Sequence, residues 1–211
     1  MASSGKPVVV IDEIQKIPLL LDEIHRLIEE REIVFLLTGS SARKLRQGGV
    51  NLLAGRAWTA RLFPLTCDEI PDFDLKTYLH FGGLPAIYLS EHPLDELHAY
   101  VRTYLTEEIS VEGLVRDLLR FSRFLQKAAL SCGDMLNFSN IASDLGVSPT
   151  TVREYYRILD DTLLGYLVEP VRKPNSRKEV STSKFYFFDV GVTNTLRAVT
   201  SVEEGTDYFG Q

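Results

Sequence analysis

Cysteine is scarce in this chain of 211 residues, which holds Cys67 and Cys132 and no others. Two thiols so far apart give neither a disulfide framework nor the four-ligand spacing of a structural zinc site, so a reducing compartment is expected. Long apolar runs are missing as well. The longest, at 8–11, 19–21 and 34–37, fall far short of the roughly 18 residues that a membrane-spanning helix needs. The first seven residues carry no apolar core of a signal peptide, which makes a cytoplasmic protein without a membrane partner the expectation. Positive charge is in deficit: 23 Lys and Arg against 29 Asp and Glu leave a net charge of -6. Nucleic acid is therefore held only where basic residues cluster locally. The histidines, His25, His80, His92 and His98, show no ligand spacing, and no metal site is expected from them. With 45% hydrophobic and 25% charged residues, the composition is that of a globular chain and excludes a disordered one.

Residues 8–11, Val-Val-Val-Ile, are wholly apolar and branched, the pattern of a strand buried on both faces of a parallel sheet. They run into Asp12 and Glu13. Apolar groups at Leu20, Leu21, Ile24, Leu27 and Ile28 then recur at helical spacing behind Pro18, and a second strand pattern at 33–37 closes on Thr38-Gly39-Ser40-Ser41. Strand, helix and strand within about thirty residues form a βαβ unit with a parallel sheet. A short helix at 42–46 is broken by Gln47-Gly48-Gly49, and the alternation at 57–62 predicts a further strand, with Trp58 and Phe63 read as core. Residues 66–115 read as helices separated by Pro71, the Gly82-Gly83-Leu84-Pro85 break and Pro93.

The amphipathic helix predicted over 114–130 puts Leu118, Leu119, Phe124 and Leu125 on its apolar side, with Arg116, Arg120, Arg123 and Lys127 forming a basic stripe. Residues 138–146, a Gly146 turn and a capped helix at 150–159 make a helix-turn-helix pattern. Strands at 166–171 and 184–188 flank a basic loop in the position of a wing.

A buried strand that ends in adjacent carboxylates sets them at the carboxyl edge of a parallel sheet, where ligands bind in such folds. In P-loop nucleotide hydrolases this is the Walker B arrangement, in which Asp12 would hold Mg²⁺ through water and Glu13 would polarise the attacking water, against the plainer reading as solvated acids at a strand end. The hydroxyls of Thr38 and Ser40, at the end of the next strand, suit a sensor of water or phosphate, and one of the serines also caps the following helix. Arg56 is a candidate arginine finger offered to a neighbouring subunit, against the plainer reading as surface arginine. For DNA contact the candidates are Thr150, Thr151, Arg153 and Arg157 on the second helix, and Arg172, Lys173, Arg177 and Lys178 in the wing.

The runs Ile11-Asp-Glu-Ile-Gln-Lys-Ile-Pro18, Leu37-Thr-Gly-Ser-Ser41, Leu53-Ala-Gly-Arg56, Phe63-Pro-Leu65, Phe81-Gly-Gly-Leu-Pro85 and Lys184-Phe-Tyr-Phe-Phe-Asp-Val-Gly191 occur in this order. Together they resemble the AAA-type ATPases of bacteria and archaea that carry a winged helix and a C-terminal domain of unknown function. The resemblance implies ATP and Mg²⁺ as cofactors, an AAA+ module, and a restriction-endonuclease-like C-terminal part.

The P-loop of that family, G-x-x-x-x-G-K-[ST], has no counterpart in residues 1–211, because Gly5-Lys6 is followed by Pro7 and preceded by no first glycine. Tight ATP binding by this chain is therefore not expected. The chain reads as a fragment of a longer protein, α/β at first and then mostly α. Its expected parts are half of an AAA+ core with a partial parallel sheet at 1–65, a helical lid-like segment at 66–115, a winged helix-turn-helix with a small hairpin at 116–180, and the start of a nuclease-like domain at 181–211. An incomplete sheet exposes an apolar face and an edge, so self-association is expected. The reading from a different class is a DNA-binding or protein-interaction module without enzymatic activity.

Overall fold

The computed structural model describes residues 6–39, 57–104, 115, 117–170 and 182–199. Its contacts divide into two bodies, one running to Arg61 and the other made mainly of the residues from Leu62 onward.

The first body is a βαβ unit. Strand β1 (Val8–Ile11), a 3-10 turn at Ile14–Lys16, helix α1 (Leu20–Arg31) and strand β2 (Val34–Leu37) follow one another. The strands pair in parallel with Val8 opposite Val34 and Ile11 opposite Leu37. Helix α1 turns Leu21 and Ile24 inward beside Ile14, and Ile11, Phe35 and Leu37 pack on them. Glu23, Arg26 and Glu30 form a ladder of ion pairs on its solvent face. The expectation of strands buried on both faces is corrected here. Val8 and Val10 are 64% and 62% exposed, and Val34 and Leu36 are exposed with them. Side chains alternate across a strand, and among the described residues α1 covers one face of a two-stranded sheet.

The second body is mainly helical: α2 (Leu75–Phe81), the single turn α3 (Pro85–Tyr88), α4 (Pro93–Ala99) running into a π turn at Tyr100–Tyr104, then α5 (Leu118–Leu130), α6 (Phe138–Leu145) and α7 (Pro149–Asp161). Strands β3 (Gly165–Val168) and β4 (Lys184–Phe187) pair antiparallel, and α8 (Val190–Arg197) follows. Asp74, Asp117, Asn137 and Asp189 each cap a helix by accepting the N–H three residues on. Gly146, at φ 64, ends α6 in the left-handed conformation that a glycine adopts without strain.

Its core is aromatic. Phe124 and Tyr156 meet edge to face at 4.8 Å, and Tyr156 and Phe185 at 5.0 Å; such pairs add about 0.5–1.5 kcal/mol each beyond area burial. Leu119, expected on the apolar side of α5, is exposed. The buried positions of that helix are Phe121, Phe124, Leu125, Ala128 and Ala129, and Leu119 lies out of phase with that 3.6-residue stripe.

Three further expectations are corrected. Residues 57–62 form no strand, and Trp58 is fully exposed where the sequence suggested core; alternation alone makes no strand where no described strand lies alongside. Phe63 stays mostly exposed, its ring 6.3 Å from that of Tyr166. The helical segment starts only at Leu75, because 66–74 is occupied by turns in which the Glu69 carboxylate accepts from the Thr66 N–H and hydroxyl.

The glycine motifs at 81–85 and 187–191 meet in this body. Asp189 is buried, and its carboxylate accepts the N–H of Gly83 at 2.8 Å and that of Val192 at 3.0 Å. Gly82 sits at φ 77 and ψ -168, a region open essentially to glycine alone, and a Cβ there would lie 2.1 Å from Asp189 Oδ1. A Cβ on Gly191 would lie 2.2 Å from the Phe81 carbonyl oxygen. Asn194, also buried, donates to the Leu79 carbonyl at 2.8 Å and so caps the end of α2 from α8. Both motifs are thus accounted for by the close docking of α2 against α8.

Candidate functional site

Strand β1 delivers Asp12 and Glu13 to the carboxyl edge of the sheet, and β2 delivers Thr38 beside them, since Ile11 faces Leu37 in the register. Backbone bonds hold the edge closed: the Thr38 N–H donates to the Ile11 carbonyl at 3.0 Å, and the Ile14 N–H to the Thr38 carbonyl at 3.1 Å. The Thr38 hydroxyl donates to Asp12 Oδ1. One strand-end carboxylate is therefore oriented by the neighbouring strand end.

Glu13 is held differently. Its backbone takes the left-handed conformation, φ 55 and ψ 44, which is uncommon for a residue with a Cβ and concentrates at functional positions. Gln15 Nε2 donates to Glu13 Oε2 at 2.7 Å, and Lys16 Nζ lies 3.6 Å from the same oxygen. Gln15 is itself buried beneath the turn. Gly39 leaves it room, for a Cβ there would lie 2.2 Å from Gln15 Oε1.

Two carboxylates and a hydroxyl at one edge are hard oxygen donors, the set that suits Mg²⁺. Among the described residues, no three His, Cys, Asp or Glu side chains gather to hold a metal ion by themselves. Mg²⁺ at such an edge keeps several waters and relies on oxygens from substrate. The other two residues expected at this site, Ser40 and Arg56, lie outside the described residues.

The candidate DNA-contacting residues of the wing, Arg172, Lys173, Arg177 and Lys178, also lie outside the described residues. Those of α7 are engaged locally. Thr151 donates its N–H to Ser148 Oγ at 3.1 Å, closing the start of the helix. The Arg153 guanidinium stacks over the Phe138 ring at 5.1 Å, and Arg157 Nη1 lies 3.9 Å from Glu154 Oε2. Thr150 is exposed. Along the basic stripe of α5, Arg120 pairs with Asp117 at 3.1 Å and Lys127 with Asp144 at 2.5 Å; Arg116 lies outside the described residues.

Gln15 was not singled out by reading the sequence. Its only signal was a polar side chain at a position the 3-10 turn buries, followed far along the chain by a glycine after Thr38. Asp189 was visible as part of a motif but not as a buried cap. Burial pushes its carboxyl above the usual aspartate range, against the pull of N–H groups from Val192, Gly83, Gly191 and Leu84.

Residues 1–71 match the model of a family described as AAA domain, and residues 72–203 that of a family described as Domain of unknown function (DUF8612). A protein of Haemophilus influenzae named "Uncharacterized protein" is 23% identical over 223 residues, covering 92% of this chain and 55% of its own length. The chain thus spans about half the length of that curated relative. No solved structure gives a significant match. Among the described residues, no helix is long and apolar enough to cross a membrane.

Proposed function

From the chain's membership of the DUF8612 family, behind a segment that matches an AAA domain, we propose that residues 6–39 are the cation- and water-handling part of an AAA-type ATP site. Asp12 holds Mg²⁺ through water, Glu13 polarises water, and the Thr38 hydroxyl orients Asp12, with Ser40, two residues further on, as the phosphate sensor. Arg56 belongs to the same proposal as the finger. The observation that carries the reading is the Thr38 to Asp12 hydrogen bond across the ends of two parallel strands. A solvated acid at a chance strand end has no need of a partner from the neighbouring strand.

The oxygen donors fit Mg²⁺. The triphosphate is a different matter, since the P-loop motif, whose backbone N–H groups and lysine cradle phosphates, does not occur in the sequence of residues 1–211, and tight ATP binding by the described residues is not expected. The test is cation binding. In the ¹⁵N-labelled chain, Mn²⁺ should broaden the amide signals around Asp12 and Thr38, and Asp12→Asn should weaken that effect at least about fivefold, as expected for loss of a charged oxygen ligand. Broadening that ignores Asp12→Asn counts against the reading.

We read α6, α7 and the β3–β4 pair as a winged-helix arrangement that serves packing or protein contact. Arg153 lies on an aromatic ring and Arg157 beside a carboxylate of its own helix, which favours this over DNA contact.

A further inference from the structure

We propose that the groove between α5 and α6 is a binding site for a guanidinium group of the kind an arginine side chain carries. It lies within the second body and is independent of the Asp12 site.

The groove follows from the sequence of α6. Asn137, Asn140, Ile141 and Asp144 recur at the i, i+3, i+4 and i+7 spacing of one helical face, and of the four only Ile141 is apolar and buried. Short polar side chains leave open what apolar ones would pack, and a cavity of about 410 Å³ forms against α5, within the roughly 300–1,000 Å³ of small-ligand sites. Lys127 of α5 and Asp144 of α6, both on its wall, pair at 2.5 Å, so their charges are matched. The charge left over is that of Asp134. It is exposed in the loop that joins the two helices, and among the described residues its carboxylate has no ion pair or hydrogen bond.

Two further features mark the groove for a cation. The loop begins where α5 ends, and the terminal carbonyls of a helix carry about half a negative charge. The chain already spends a guanidinium of its own on that helix end: Arg197 Nε donates to the Ala129 carbonyl at 2.6 Å and Nη2 to that of Cys132 at 3.5 Å. Arg123, exposed on α5, lies two turns before Ser131, about 12 Å by the helical rise and beyond the screening length of about 8 Å at physiological salt. A guanidinium fits better than an ammonium. Its planar fork meets a carboxylate through two parallel N–H donors, and Met135, 64% exposed on the groove wall, offers a soft thioether to the alkyl stem.

The test uses the full chain, ¹⁵N-labelled, with N-acetyl-arginine amide as the probe. Shifts in the amide signals of Asp134, Met135 and Asn140 should saturate in roughly the millimolar range expected of so small a ligand, and added salt should weaken the binding. N-acetyl-citrulline amide, the uncharged isostere, should bind at least about tenfold more weakly. Asp134→Asn, at an exposed position, should weaken the arginine probe at least about fivefold. Lys127→Met should tighten it about three- to tenfold by releasing Asp144 to the ligand, whereas lost packing alone would act in the opposite direction. A blocked tripeptide with arginine at its centre that binds more tightly than free arginine marks the site as one for a polypeptide partner. The reverse order marks a free small molecule, and either result supports the site. Equal shifts from the citrulline probe, wild-type affinity in Asp134→Asn, weaker binding in Lys127→Met, or no saturable shift at these residues in the wild type overturns it.

Discussion

The Gly83 N–H donates to Asp189 Oδ2 at 2.8 Å, a buried bond between residues 106 apart in sequence. With the Val192 N–H on the other oxygen, it makes Asp189 the cap of α8 and the anchor of the turn after α2 at once. Asp189→Ala strips buried N–H groups of their acceptor, at about 1–3 kcal/mol for each group left unsatisfied. Gly82→Ala adds a Cβ in a glycine-only conformation and against the carboxylate. Both variants should lose at least about 2 kcal/mol of unfolding free energy in urea titrations. Wild-type midpoints in both would contradict the clamp.

The same carboxyl makes a pH prediction. Burial raises its folded value above the unfolded one, so its contribution to stability is fully present below the unfolded aspartate value of about 3.9. It is lost as pH rises through the folded value. Relative to Asp189→Asn, whose amide does not titrate, the wild type should lose stability as the pH rises above the unfolded aspartate value of about 3.9. A stability difference that stays flat over that range, or that moves in the opposite direction, contradicts the raised value.

The Tyr156 side chain is fully buried, and among the described residues its hydroxyl has no hydrogen-bond partner. Burial in this aromatic core also pushes the phenol upward, keeping it protonated. Tyr156→Phe removes an unsatisfied polar group without changing the ring. Unfolding experiments should find it neutral or stabilised by up to about 1 kcal/mol. A loss of 2 kcal/mol or more, on the scale of a broken buried hydrogen bond, would mean that the hydroxyl has a partner.

If Arg153 and Arg157 contact phosphate, replacing both with Ala should weaken binding to duplex DNA and flatten its salt dependence. Their engagement by Phe138 and Glu154 predicts otherwise: any DNA binding by the chain is left within about twofold, with the same slope of affinity against salt. A tenfold loss restores the DNA reading of α7.

Much of the local architecture is legible in the residues. The branched run at 8–11 and the apolar spacing at 20–28 suffice for β1 and α1, and Gly146 between two amphipathic stretches suffices for the turn from α6 to α7. Exposure is not legible in the same way. Val8 and Val10 look buried because apolar runs in parallel sheets usually are, yet burial depends on what lies across the face, and α1 covers one side. Trp58 misleads for the same reason. At the site, Asp12 and Glu13 announce themselves as adjacent acids after a strand. Gln15 does not, because its meaning comes from Gly39, a residue whose contribution is the space it leaves. Asp189 and Gly83 are joined across more than a hundred residues, a pairing that no local pattern carries.

The central claim is a proposed division of labour: residues 6–39 would supply the cation and water half of an AAA-type site, while the P-loop motif does not occur in the sequence of residues 1–211. Calorimetric titration of the chain with Mg·ATP addresses it most directly. The account predicts no binding in the micromolar range, beside an Asp12-dependent response to Mn²⁺ alone. A micromolar dissociation constant for Mg·ATP, lost in Asp12→Asn, would contradict it.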